Sequence, residues 1–84
     1  MKLLVFVNGD GPEMREAKLR AADLVNEDYE VEVLDWEAEE TADAASLYDI
    51  YSTPAFVIIG PDGGLVERWQ GTNLPLTSDM KHLM

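Results

Sequence analysis

Ser52-Thr53-Pro54-Ala55-Phe56-Val57-Ile58-Ile59-Gly60-Pro61-Asp62-Gly63-Gly64-Leu65-Val66-Glu67-Arg68-Trp69-Gln70-Gly71 reads as two strands and the turn between them. Ala55 to Ile59 is wholly apolar, which suits a strand buried on both faces. In Gly60 to Gly64 the proline presets φ and the glycines supply positive φ, giving a tight turn. Leu65 to Gln70 returns as the partner strand; its mixed polarity suits a sheet edge, and Gly71 breaks it. Thr53 precedes a proline and is therefore pushed toward extended backbone, which stops whatever helix comes before it.

Working outward, Leu3 to Val7 is a second continuous apolar run, bounded by Asn8-Gly9. Asp10 or Gly11 is expected to cap the next helix, with Pro12 in the first turn, where its missing N–H costs nothing. Met14, Ala17, Ala21, Leu24 and Val25 then fall at helical spacing, and Asn26-Glu27-Asp28 ends the helix. Tyr29 to Leu34 alternates with period two and reads as a half-exposed strand. Glu37 to Tyr48, rich in Ala and Glu, reads as a second helix, with Thr41 as an alternative start. Thr77 or Ser78 is expected to cap a short last helix carrying Met80, Leu83 and Met84. The order β-α-β-α-β-β-α fits one α/β domain over residues 1–84: a mixed four-stranded sheet with helices on both faces.

The chain has 84 residues, 46% of them hydrophobic, and no cysteine. At this size about 60–65% of the unfolded chain's surface is buried on folding, so the core must be compact. Neither a disulfide nor a thiolate metal site is available to reinforce it. The N-terminal apolar run is too short for a signal peptide, and no apolar segment approaches the ~20 residues needed to cross a bilayer. A soluble, cytoplasmic setting is the expectation. Net charge is −11, and from Ala21 to Glu67 there are thirteen Asp or Glu and no Lys or Arg. Such a field disfavours nucleic acid and anionic lipid. It serves either as a solvated, solubility-promoting face or an adaptation to a high-salt cytoplasm, or as a docking face for a basic protein or peptide partner.

Three pieces of the chain, in this order and spacing, resemble the thioredoxin and glutaredoxin family, and the resemblance covers nearly the whole length. Ala45-Ser46-Leu47-Tyr48-Asp49-Ile50-Tyr51-Ser52-Thr53-Pro54 is similar to the thioredoxin stretch A-E-K-Y-G-V-R-S-I-P. Pro61 to Gly71 resembles the family hairpin D-G-x-x-V-x-R-F-x-G. Asp10-Gly11-Pro12-Glu13 sits where the family has C-G-P-C. The resemblance thus implies a thioredoxin-like fold, and a cis peptide bond at Thr53-Pro54.

The departures from the family bear directly on chemistry. Asp10 corresponds to the nucleophilic cysteine and Glu13 to the resolving one. Gly9 stands for the tryptophan that usually precedes the motif, and Leu4 for the buried aspartate that assists proton transfer. Thiol–disulfide exchange needs a thiolate, which a carboxylate cannot replace. The chain acting alone is therefore no disulfide reductase and is not expected to be an enzyme. No Ser-His-Asp set, phosphate loop or metal-ligand cluster is visible, and no cofactor is expected.

Two candidate sites follow. Asp10 and Glu13 read as a capping pair at a helix N-terminus, satisfying orphan N–H groups and complementing the dipole. The alternative, two carboxylates gathering Mg²⁺ or Ca²⁺, needs more oxygen ligands than the neighbouring sequence supplies, and the helix N-terminus repels cations. Thr53-Pro54 is the second candidate. By the resemblance, Thr53, Pro54, Gly11, Pro12 and the Gly71-Thr72 loop would line a shallow groove that binds extended peptide by strand addition, a mode that tolerates lost cysteines. The alternative is a proline that only fixes a buried turn. The glutathione motif of glutaredoxins is absent at Gly71-Thr72-Asn73-Leu74. Trp69 is expected against the last helix, Trp36 partly exposed, and His82 at the surface. The favoured reading is a redox-inactive thioredoxin-like binding or adaptor domain. The others are a member of a thiol redox pathway, labelled so by family, and a structural subunit of an assembly.

Overall fold

In the computed structural model, which describes residues 1–71 and 74–84, the elements run β1 (Lys2–Val7), α1 (Pro12–Asn26), β2 (Val31–Asp35), α2 (Glu39–Leu47), β3 (Ala55–Ile59), β4 (Leu65–Gln70) and α3 (Thr77–Leu83). The expected element order is therefore present. The four strands form one sheet in the order β2-β1-β3-β4. β1 pairs parallel with β2 and antiparallel with β3, and β3 pairs antiparallel with β4. Central β1 and β3 are the two apolar runs, as expected for strands covered on both faces.

Alternate residues of these strands feed two cores. Leu3, Val5, Val7, Phe56 and Ile58 pack with Met14, Ala17, Ala21 and Leu24 of α1 and Met80 of α3. Leu4, Phe6, Ala55 and Val57 pack on the opposite face with Ala45 of α2 and Ile50. Helices thus cover both faces. Phe6 and Phe56 are fully buried, and truncating either to Ala would cost about 3–5 kcal/mol. Trp69 packs against the first core, the one to which α3 contributes Met80. Trp36 is half-buried and meets Phe6 edge to face, with ring centroids 6.4 Å apart. His82 is exposed.

The helix ends correct several boundaries. α1 ends with Asp28 in the left-handed region (φ 67°). The Asp28 N–H donates to the Val25 carbonyl and the Tyr29 N–H to the Leu24 carbonyl, a Schellman arrangement. Tyr29 is thereby spent on the helix end, and β2 starts at Val31 rather than at Tyr29. Val25, assigned to the apolar stripe, is 52% exposed; it lies past the arc that α1 presents to the sheet. α2 ends the same way. Asp49 takes φ 57°, and the Ile50 N–H donates to the Ala45 carbonyl at 2.7 Å, which leaves Tyr48 as the cap. At its start the Asp35 carboxylate accepts the Glu37 N–H, forming an Asx turn. The helix therefore begins at Glu39, between the two expected starts.

Of the two caps expected for α1, Gly11 takes the role, with Pro12 in the first turn and no side-chain hydrogen bond. Leu76, rather than Thr77 or Ser78, caps α3. Its N–H is satisfied by the Asp79 carboxylate, while the Asp79 N–H donates to the Leu76 carbonyl. An acidic side chain one turn into the helix thus does the work expected of a hydroxyl at its start.

Candidate functional site

Strand register gathers the candidate residues at one end of the sheet. Phe6 pairs with Ala55, and Ala55 with Gln70. Val7, Pro54 and Gly71, the next residues beyond those pairs, therefore lie at the same edge. From Val7 the chain enters the turn Asn8-Gly9-Asp10-Gly11 that leads into α1. The Gly71 N–H donates to the Pro54 carbonyl at 3.0 Å, so these two candidates meet directly. Gly71 has φ +83°, where an L side chain costs about 1–2 kcal/mol in backbone strain. The Thr53–Pro54 bond is cis, as the resemblance implies. Pro54 is buried and Thr53 half-buried. Among the described residues, neither the N–H nor the carbonyl of Thr53 has a hydrogen-bond partner. Thr72, also a candidate, lies outside the described residues.

Asp10 and Glu13 do not act as a pair. The Asp10 carboxylate, exposed at the end of the turn, accepts a hydrogen bond from Lys18 Nζ at 2.8 Å. That bond, and the charge behind it, hold the Asp10 carboxyl below the ordinary carboxylate range. The capping role expected of Asp10 is overturned, because Lys18, two turns along α1, competes for the carboxylate with full charge. Glu13 lies in the first turn of α1, where it complements the helix dipole. The Asn8 N–H, which would be an orphan above the helix, donates to the Met14 sulfur at 3.3 Å. Gly9 takes φ +74°. Its place in the resemblance belongs to a tryptophan, and a side chain of that size would be strained at this left-handed backbone position. Leu4 is buried in the α2-side core, so no carboxylate stands there.

Two shallow depressions flank the α1 N-terminus. One, of about 350 Å³, is bordered by Val7, Gly9, Asp10, Lys18, Val33 and Asp35. The other, of about 310 Å³, is bordered by Pro12, Glu13, Glu16, Arg20 and Leu74. Asp10 thus faces one side of the turn, while Pro12 and Glu13 face the other. Neither depression reaches Thr53, Pro54 or Gly71.

Sequence reading passed over the residues that fix the segment leading to Thr53. On β4, Arg68 and Gln70 are two apart and share a face. Arg68 Nη1 donates to the Tyr48 carbonyl at 3.0 Å and lies 3.7 Å from the Asp49 carboxylate. Gln70 Oε1 accepts the Tyr51 N–H at 3.0 Å, and its Nε2 donates to the Asp49 carbonyl. The side-chain amide so replaces the ladder contacts of a further strand. Period-two spacing along an edge strand was the available signal, but it does not say which loop the two side chains reach.

No family model matches the chain, and no curated protein matches it. Solved structures do. Thioredoxin 1 from Thermosipho africanus superposes with a TM-score of 0.74 at 18% identity, covering 99% of this chain and 89% of that one. The thioredoxin-like protein BC3987 superposes at 0.56 with 26% identity, covering 98% and 99%. The designed protein E_1r26 does so at 0.63 with 23% identity, covering 96% and 66%. The chain therefore has a thioredoxin-like fold, and it has this fold without a single cysteine.

Proposed function

We propose that this chain is a redox-inactive thioredoxin-like domain of the cytoplasm that binds an extended segment of a protein or peptide partner at Thr53. The observation that supports this reading is the backbone of Thr53, which has no partner among the described residues. It lies half-buried at the sheet end shared by Pro54, Gly71 and the turn into α1, with both hydrogen-bonding groups unpaired among the described residues. A half-buried peptide unit of that kind is satisfied either by water or by an incoming strand. Strand addition draws its affinity from main-chain groups and so needs no cysteine. The net charge of −11 favours basic partners by steering.

The test is a titration of the isotope-labelled protein with the extended peptide acetyl-Gly-Val-Arg-Val-Gly-amide, followed by backbone amide shifts. Thr53 and Gly71 should move together and saturate. Saturating shifts confined to another surface, or none anywhere, would contradict the assignment.

A further inference from the structure

Tyr51 is 79% exposed, the highest value among the large hydrophobic side chains of the described residues. Its backbone is nevertheless fixed, because the N–H is held by Gln70 Oε1 at 3.0 Å. The preceding residues are held as well, by Gln70 Nε2 at the Asp49 carbonyl and by Arg68 at the Tyr48 carbonyl. An aromatic anchored at its backbone and bare at its ring loses little entropy when a partner covers it, which is the profile of an interface anchor. It is also two residues from Thr53, within reach of any segment paired there.

The chemistry around Tyr51 indicates what would cover the ring. Tyr51 falls within the stretch from Ala21 to Glu67, with its thirteen carboxylates and no cation. Arg68, the cation anchored to the same loop, is already engaged with Tyr48 and Asp49. A cation from outside is attracted by the field of the carboxylates, and an aromatic face is a surface on which a guanidinium stacks.

We propose that Tyr51, presented by Gln70, selects the partner by taking an arginine side chain of the segment paired at Thr53. This rests on the binding reading above, but it concerns a different group, a ring rather than a peptide unit. The test compares acetyl-Gly-Val-Arg-Val-Gly-amide with the same peptide carrying citrulline, which keeps the shape of arginine and removes its charge. Net charge alone favours the arginine peptide in every variant, so the readout is the change in preference between variants at fixed moderate salt. Tyr51→Ala should lower the arginine-over-citrulline preference about two- to fivefold, while leaving the affinity for the citrulline peptide within twofold. Tyr51→Phe, which keeps the ring, should retain the preference. An unchanged preference in Tyr51→Ala, with Thr53 shifts intact, would overturn the role of Tyr51 and leave strand pairing at Thr53 standing. Failure of both peptides to shift Thr53 would overturn both.

Discussion

Gln70, the last residue of β4, accepts the backbone N–H of Tyr51 through its side-chain oxygen at 3.0 Å. The contact joins residues nineteen apart and ties the loop before Thr53 to the edge of the sheet. Replacing Gln70 with Leu removes this bond, the one to the Asp49 carbonyl and the longer one from the Ser52 hydroxyl at 3.5 Å, while keeping comparable bulk. The two backbone bonds, at about 0.5–1.5 kcal/mol each, set the expected loss in folding stability. Chemical denaturation of the variant measures it, and the Tyr51 amide should exchange faster with solvent. Unchanged exchange at Tyr51 would mean that the loop is held by other contacts.

The Asp10–Lys18 pair makes a pH prediction with a definite sign. Lys18 holds the Asp10 carboxyl below its ordinary value, so the folded state binds that proton less readily than the unfolded state. The stabilisation is complete above the ordinary carboxylate pKa and is lost as pH falls through the lowered folded value. In a carbon-detected NMR titration, Lys18→Met should move the Asp10 midpoint upward toward the ordinary value. A midpoint that stays put would assign the depression to something other than Lys18.

Charge imbalance predicts a response to salt. Five of the six Lys and Arg residues sit in ion pairs, and most of the seventeen carboxylates have no such partner. Exposed pairs contribute little and lose it on screening, whereas repulsion among the surplus carboxylates is relieved within a Debye length of about 8–10 Å. The melting temperature should therefore rise between low and moderate sodium chloride. A flat or falling curve would show that the carboxylates are too dispersed to repel one another.

The turn before α1 allows a reconstruction. Asp10 and Glu13 flank the Gly11 cap and Pro12, three residues apart at the helix start, a spacing within the reach of a disulfide. The double variant Asp10→Cys, Glu13→Cys should oxidise to an intramolecular disulfide in air-equilibrated buffer, visible as the loss of two titratable thiols without dimer formation. Thiols that persist, or pair only between molecules, would place the turn in a different geometry.

The apolar runs Leu3–Val7 and Ala55–Ile59 were legible in the sequence because residues buried on both faces carry no competing signal. The hairpin between β3 and β4 was legible from its proline and glycines. The end of α1 was legible in Asn26-Glu27-Asp28, but the residue that turns each helix back was not, and the reason is common to both. Asp28 and Asp49 occupy left-handed positions where glycine is the usual marker, and aspartate at such a site reads in sequence as one more surface charge. At the candidate site, the joint position of Pro54 and Gly71 was implied by the family resemblance and is met in the structure by the Gly71 N–H bond to the Pro54 carbonyl. The diversion of Asp10 to Lys18 was not legible, since an ion pair across two helical turns competes with capping and only geometry decides between them. The roles of Arg68 and Gln70 depend on where the loop between α2 and β3 passes over the sheet, which no local pattern encodes.

The account turns on the Thr53 peptide unit, and amide hydrogen exchange at that residue tests it most directly. In the free protein the Thr53 N–H should exchange at nearly the rate of an open peptide, because it has no partner among the described residues. With saturating acetyl-Gly-Val-Arg-Val-Gly-amide it should slow at least tenfold, while the amide of Leu19, on the exposed side of α1, keeps its free rate. A Thr53 amide already protected in the free protein, or one that stays fast with the peptide bound, would contradict strand addition at this site.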